Sequence, residues 1–230
     1  MRLDRFIAHQ PHLSRQDANL LISAGRVQVD HHVRRDSRLE VNEFSHIALD
    51  GTVLQNGKPA RYYMLHKPAG YVSATCHDEH PTVLDLLTDT DTQDLHIGGR
   101  LDLTTTGLLL ITNDGRWSRR LTQPGSALGK VYYVETEKPI GPEYAEAFAT
   151  GLYFAYENLT TRPAQLQVLG SHAARLTLYE GRYHQVKRMF GHFRNRVTRL
   201  HRERMGLLQL DPLLECGSYR ALNSEEIRQV

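Results

Sequence analysis

The clearest candidate for chemistry in the sequence is a loop over residues 96–107, which supplies one arginine and one aspartate. In an extended segment, Arg100 and Asp102 point to one face and Leu101 points to the other. A positioned carboxylate can attack an electrophilic carbon or accept a proton, which are the roles of a nucleophile and a general base. The same two side chains can also form a structural pair that fixes a turn. Their spacing leaves both interpretations open.

A second run, residues 180–190, has the pattern of a strand end followed by an amphipathic helix. Val186, Met189 and Phe190 fall on the inward face of that helix. The outward side of the run carries the basic residues Arg182, Lys187 and Arg188. An ordinary surface helix would show the same pattern, so the run does not by itself name a reaction.

Basic charge is concentrated in two regions of a nearly neutral chain, whose formal net charge is +2. Residues 180–204 contain eight Lys or Arg and two Glu, and residues 2–38 contain seven Arg and four Asp. Arg binds phosphate in a bidentate manner, and each neutralised phosphate releases counterions, so clustered Arg favours nucleic-acid binding. We therefore predict two basic surfaces that bind RNA or DNA; a solvated charged face is the alternative.

Other kinds of chemistry lack their motifs. The thirteen His include no His-Glu-x-x-His pair, and Cys76 and Cys216 cannot form a Cys-x-x-Cys clamp or a disulfide framework. The sequence contains neither a Gly-x-x-x-x-Gly-Lys-Ser/Thr phosphate loop nor a Gly-x-Ser-x-Gly nucleophile motif. We expect no metal and no cofactor, although a hydrolase with a His and carboxylate site stays an alternative.

Length and composition are those of a globular protein, with 230 residues, 40% hydrophobic and 23% charged. The apolar stretches are shorter than the roughly 18 residues that a membrane-spanning helix needs. The first residues lead into no secretory apolar segment. We expect a soluble, cytoplasmic protein that does not bind membranes and is a monomer.

The first 60 residues predict a compact helix–helix–strand module. Helical spacing starts at Leu3, and a second helix follows Ser14, a favourable N-cap, and ends at Gly25. Alternation predicts strands at residues 26–30 and 46–51. Gly and Pro in residues 56–60 break both periodicities. The predicted domains are therefore 1–59 and 60–230.

The second domain is predicted to be α+β, with a mixed, mainly antiparallel sheet flanked by helices. Strand-like segments are 61–66, 71–74, 107–112, 131–136, 165–169, 174–179 and 197–200. Helical segments are 117–121, 142–150, 184–192 and 224–230.

Five sets of residues, in order along the chain, resemble the RsuA-type pseudouridine synthases. The first set, in residues 2–6, 13–15 and 24–30, resembles the S4 RNA-binding module. The others are 64–72 with 80–83, the loop 99–108, the strand 130–134 and the basic motif 181–189. The resemblance runs through the whole chain and implies an S4-like α/β module followed by a pseudouridine synthase catalytic domain.

The resemblance implies a role for each matching residue. Asp102 matches the essential aspartate, either a nucleophile at ribose C1′ or a base that opens a glycal route. Tyr132 matches the tyrosine that packs against the uracil, with Tyr133 as its inward-facing neighbour. Lys187 matches the basic partner of the aspartate, a position at which many related families carry Arg. Arg100 matches the arginine that occupies the gap left by the flipped nucleotide.

The resemblance also implies the reaction and the partner. Uridine becomes pseudouridine without a cofactor, and the substrate is 16S ribosomal RNA in a small-subunit assembly intermediate. Further RNA contacts are expected from Arg182, Arg188, Arg2, Arg5, Arg15 and Arg26. Two alternatives stay open: a synthase acting on 23S ribosomal RNA, and a non-catalytic S4-type assembly factor.

Overall fold

The computed structural model describes residues 1–123 and 128–230, and it divides into two compact units, Met1–Ala60 and Arg61–Val230. No helix in these two described ranges is both long enough and apolar enough to cross a membrane.

The first unit packs two helices against a small antiparallel sheet. The helices are α1 (Leu3–Ala8) and α2 (Arg15–Ser23), and the strands are β1 (Val27–Val29), β2 (His32–Val33), β3 (Ile47–Leu49) and β4 (Thr52–Gln55), in the order β2-β1-β3-β4. Ser14 caps α2 as expected: its hydroxyl accepts from the Asp17 amide at 3.1 Å. The unit has its own buried core, formed by Leu3, Ile7, Ala18, Ile22, Val27, Val29, Val41 and Ile47.

The second unit is built on a large mixed sheet. Its elements are β5 (Tyr62–Lys67), β6 (His96–Gly98), β7 (Thr106–Thr112), α3 (Gly115–Thr122), β8 (Lys130–Thr136), α4 (Glu143–Thr150), β9 (Tyr153–Phe154), β10 (Leu159–Thr160), β11 (Gln165–Gly170), β12 (Ala173–Leu178), α5 (Gln185–Gly191), β13 (Val197–Met205), β14 (Leu208–Gln209), β15 (Tyr219–Ala221) and α6 (Ser224–Arg228). Within the described residues the main strand order is β11-β12-β8-β13-β7-β5-β15, with β14 beside β13 and β6 beside β7.

Strand pairing confirms the predicted fold class. β13 runs parallel to β7. The other strand pairs of this sheet in the described residues are antiparallel. A Cβ at Gly107 would lie 2.3 Å from the Arg202 carbonyl oxygen, and the φ of Gly107 is +108°. Only glycine therefore allows β13 to approach β7 this closely where the loop 99–105 enters the sheet.

Each face of the sheet carries a separate hydrophobic cluster, as the two-residue side-chain period requires. One face includes Leu65, Leu109 and Ile111 and packs against α4 and α5. The other includes Met64, Leu108 and Leu110, with Trp117 and Leu121 of α3. The central strand β7 is buried on both sides, which explains its continuous apolar sequence.

Two predicted strands differ from the structure. Residues 71–74 do not form a strand; Val72 makes an isolated parallel bridge with Thr82, and the Ser73 hydroxyl is bonded to the backbone of Leu101. The strand predicted at 197–200 continues to Met205. Sequence patterning missed the extension because it carries mostly charged residues, of which Arg202 is buried among backbone carbonyls.

We expect a chain lacking residues 1–59 to keep its second unit folded and, as the family resemblance implies, to bind ribosomal RNA more weakly. Each unit buries its own core, and units with separate cores fold independently. Circular dichroism melting and filter binding of ribosomal RNA measure the two effects, with the full chain as control. Aggregation of the shortened chain would contradict the boundary.

Candidate active site

The loop that carries Asp102 connects β6 to β7 and is anchored by Leu101. The Leu101 side chain is buried, its amide donates to Ser73 Oγ at 3.1 Å, and its carbonyl accepts from the same hydroxyl at 2.8 Å. With Leu101 facing inward, Arg100 is exposed and the Asp102 side chain is 27% exposed. The alternation expected for these three residues is therefore present.

Two buried cations, Lys67 and Arg202, donate hydrogen bonds to backbone carbonyls of this loop. The Lys67 ammonium donates to the carbonyls of Pro68, Leu103 and Thr105 at 2.9, 3.3 and 2.8 Å. Its side chain is fully buried, and this burial lowers the pKa of Lys67 to about 8, opposed in part by the negative charge of Asp102.

Arg202 on β13 holds the other end of the loop. Its guanidinium donates to the carbonyls of Leu108 and Gly99 at 2.9 and 2.7 Å and lies 3.5 Å from that of Arg100. Because buried carbonyls need donors, Lys67 and Arg202 together determine the path of the backbone on both sides of Asp102.

The Asp102 carboxylate faces α5. Lys187 Nζ lies 3.3 Å from Oδ2, and His184 Nε2 lies 3.6 Å from Oδ1. Lys187 also donates to the Thr104 hydroxyl at 3.0 Å, so the same loop supplies two oxygens to this ammonium. A partly exposed carboxylate with an ammonium and an imidazole within 3.6 Å can serve as a nucleophile or as a base.

Helix α5 positions Lys187 through its buried face. Val186, Met189 and Phe190 are buried, as the amphipathic pattern predicted. Phe190 contacts Phe148 of α4 edge-on, with ring centroids 5.2 Å apart. The aromatic packing fixes the rotation of α5 about its axis, which directs the Lys187 side chain to the loop.

Tyr132 lies on β8 with 8% of its surface exposed, in the cluster that also contains Leu101 and Val186. Tyr133 points to the opposite face of the sheet, where the Arg199 guanidinium lies 5.4 Å from its ring centroid. The expectation that Tyr133 is the inward-facing neighbour was wrong. Val134 belongs to the same buried cluster as Tyr132. Because side chains alternate along a strand, Tyr133 between them faces the other side of the sheet.

Arg182 and Arg188, expected to contact RNA, are paired with carboxylates. Arg182 Nε donates to Glu180 at 3.0 Å, and both arginines form ion pairs with Glu157. The Arg188 guanidinium also lies 3.7 Å from the centroid of the Phe154 ring. These contacts hold the basic motif against the β9–β10 hairpin.

The four arginines of the first unit that were expected to contact RNA fall into two groups. Arg2 is bonded to Asp4 and Arg26 to Asp50. Arg5 and Arg15 line one cavity of about 440 Å³ with Ala8 and His9. The cavity makes Arg5 and Arg15 the better placed of the four to bind an anion.

Sequence reasoning assigned no role to Lys67, Thr104, His184 or Arg202. Lys67 did carry a signal, because it is a cation at the end of the largely apolar strand β5. Arg202 carried none, because it lies among other charged residues of β13. In the described part of the chain, no group of three or more His, Cys, Asp or Glu is arranged to hold a metal ion.

We expect Lys67→Met to lower the free energy of unfolding by about 3 kcal/mol, since three backbone carbonyls each lose a hydrogen bond, and of the three Leu103 keeps another donor, the Gly70 amide. The ammonium is disfavoured in the folded state, so protons bind Lys67 more readily when the chain is unfolded. The stability of the wild type relative to the variant therefore rises as pH increases from about 8 toward the pKa of an unfolded lysine. Urea titrations across this range measure the difference. A difference that is independent of pH, or that falls, would contradict the assignment.

The fold and the site define a class when compared with known proteins. Residues 61–192 match the family described as RNA pseudouridylate synthase, and residues 1–47 match the S4 domain. The first match covers more than half of the chain. The chain therefore belongs to the RNA pseudouridylate synthase family and is an isomerase of that class.

Similar proteins indicate the subgroup of this family to which the chain belongs. "Ribosomal small subunit pseudouridine synthase A" of Pseudomonas aeruginosa is 64% identical over 230 residues, which is 100% of both chains. The protein of the same name from Escherichia coli K12 is 46% identical, again over 100% of both chains. A solved structure described as "Crystal structure of pseudouridylate synthase" has a TM-score of 0.72 and 37% identity, covering 100% of this chain and 99% of that one. These likenesses confirm the RsuA-type group with an N-terminal S4 domain.

Proposed function

We propose that this enzyme converts one uridine of 16S ribosomal RNA to pseudouridine, with Asp102 as its essential carboxylate and without a cofactor. The observation that carries the proposal is the Asp102 carboxylate 3.3 Å from Lys187, on a loop held by two buried cations. The choice of small-subunit RNA is supported by the names of the relatives at 64% and 46% identity.

The reaction is an isomerisation that balances without any outside group. The N1–C1′ glycosidic bond breaks, the uracil turns, C5 bonds to C1′, and the proton lost from C5 is balanced by one gained at N1. Asp102 serves either as the nucleophile at C1′, which leaves when C5 bonds there, or as the base that removes a ribose proton on a glycal route and returns it when C5 bonds to C1′. In both routes the Lys187 ammonium, 3.3 Å from Oδ2, is the ion-pair partner that orients the Asp102 carboxylate.

The uridine must leave its stack to reach Asp102, which requires a few kcal/mol of unstacking energy. Arg100 is exposed two positions before Asp102 and is suited to occupy the vacated gap. Tyr132 shares a cluster with Leu101 and Val186, the neighbours of Asp102 and Lys187, and is proposed to pack against the uracil. Arg5 and Arg15 of the first unit are proposed as RNA phosphate contacts.

We further propose that the substrate is a small-subunit assembly intermediate in the cytoplasm, and that the enzyme acts as a monomer. The reaction needs exposed RNA, which assembly intermediates offer more readily than finished subunits.

Mapping pseudouridine in ribosomal RNA from cells that lack the gene tests the function. Carbodiimide modification and primer extension locate each site, with rescue by the wild type or by Asp102→Asn. Loss of one 16S site, restored only by the wild type, is expected. Loss of a 23S site would contradict the target, and an unchanged map would favour a non-catalytic RNA-binding role.

A further inference from the structure

An exposed aromatic pair that the proposed reaction does not use lies beside Asp102. Tyr183 is 75% exposed, and its ring stacks on that of His184 with centroids 3.9 Å apart and planes 21° apart. At this exposure, the face of the tyrosine ring that His184 does not cover is open to solvent. An exposed ring with one face already stacked is suited to receive a second planar group.

His184 fixes the position of this pair relative to the carboxylate. It precedes α5 with φ 48° and ψ 33°, a left-handed conformation that is uncommon for residues other than glycine. Such conformations persist where surrounding contacts enforce them, and they concentrate at functional sites. Here the conformation places His184 Nε2 3.6 Å from Asp102 Oδ1. The pair is therefore tied to the residue proposed to carry the reaction.

The backbone below the pair is held by a polar network. Gln185 Oε1 accepts from the Arg182 amide at 3.1 Å, and Gln185 Nε2 donates to Glu180 at 2.7 Å. Arg188 lies 3.4 Å from the Tyr183 carbonyl. Because Gln185 is buried, this segment is ordered before any ligand arrives, as a binding platform requires.

We propose that Tyr183 is a stacking platform for the nucleobase adjacent to the target uridine, with His184 as the positioning residue that holds the platform beside Asp102. This inference rests on the proposed function, because it takes Asp102 as the place where the uridine reacts. Exposed cations of residues 180–204, such as Arg194, favour RNA as the occupant, although Arg202 is buried and other arginines of this stretch pair with Glu157. Stacking tolerates any base, so the platform supplies affinity for the flanking nucleotide rather than its identity.

The test uses a synthetic oligoribonucleotide with a single uridine flanked on both sides by 2-aminopurine, whose fluorescence is quenched on stacking. The full-length wild type and Asp102→Asn should both quench it. Tyr183→Phe keeps an aromatic ring and should quench equally. Tyr183→Leu should lose most of the quenching and bind about tenfold more weakly. On ribosomal RNA, Tyr183→Leu should raise KM by the same factor and leave kcat within about twofold.

Tyr133→Leu is the matched control, because Tyr133 lies on the opposite face of the sheet and should leave quenching and KM unchanged. Equal quenching by Tyr183→Leu, no quenching by the wild type at saturation, or equal defects in Tyr183→Phe and Tyr183→Leu would each overturn the proposal. Quenching that depends on Tyr183 in a protein that forms no pseudouridine would uphold the platform and refute the reaction, so the two failures are distinguishable.

Discussion

Asp102→Asn is expected to reduce turnover at least about 10⁴-fold while leaving the fold and the affinity for ribosomal RNA unchanged. The amide has the shape of the carboxylate, but it can neither attack C1′ nor accept a proton from the ribose. The side chain contributes little to the core, since it is 27% exposed and the backbone of the loop is held by Leu101, Lys67 and Arg202.

Release of tritium from RNA labelled at uracil C5 measures this loss, since the proton at C5 leaves in each turnover. Thermal melting and filter binding report the fold and the affinity. Asp78→Asn makes the same chemical change at an exposed aspartate and serves as the control. A melting temperature lowered by many degrees would mark Asp102 as a structural residue instead.

A second large effect is expected when Lys187 is replaced. Lys187→Met should reduce kcat about 10²- to 10³-fold, whereas Lys187→Arg should keep much of the activity. Lys187 Nζ lies 3.3 Å from Asp102 Oδ2 and donates to Thr104 at 3.0 Å, so its removal leaves the carboxylate without its ammonium partner. Arginine keeps the positive charge at the same place on α5. The methionine side chain has similar length and no charge.

Single-turnover rates and KM, determined separately, distinguish an effect on the reaction from weaker RNA binding. Lys138→Met removes one positive charge from an exposed side chain elsewhere and should leave both parameters unchanged. A structural role for Lys187 predicts that Arg and Met are equally defective and that both variants melt early. Disorder of α5 would produce that pattern, since Val186 and Met189 anchor the helix from its buried face.

Strands with long apolar runs could be predicted from the sequence alone. β7 and β8 have long apolar runs, and the structure places both within one residue of the predicted bounds. β6, β14 and β15 were not predicted, because two- and three-residue strands have too short a period to recognise. β15 in addition depends on a neighbour that is distant in sequence, because Tyr219 pairs with Leu65 of β5.

The candidate site was predictable in its central residues and not in its supports. Asp102 and Lys187 could be named because the motifs around them match a known family, and the structure places their charged groups 3.3 Å apart. Their assigned roles stay predictions. The contacts of Arg182 and Arg188 with Glu157 were not visible, because partners 25 and 31 positions away leave no local pattern. These ion pairs form only when the fold brings the β9–β10 hairpin, which carries Glu157, next to the basic motif.

The hydrogen bonds of Lys67 and Arg202 determine when the Asp102 loop becomes ordered. Both ends of the Asp102 loop are bonded to cations inside the unit, so the loop cannot open without removing the partners of two buried charges. The Leu101 and Thr105 amides, which donate hydrogen bonds within the unit, should therefore exchange with deuterium only as fast as the sheet unfolds. The conformational entropy of ordering the loop is lost when the chain folds, not when RNA arrives. The RNA is then the partner that must rearrange during the encounter, so substrates whose uridine is already unpaired react with the smallest penalty.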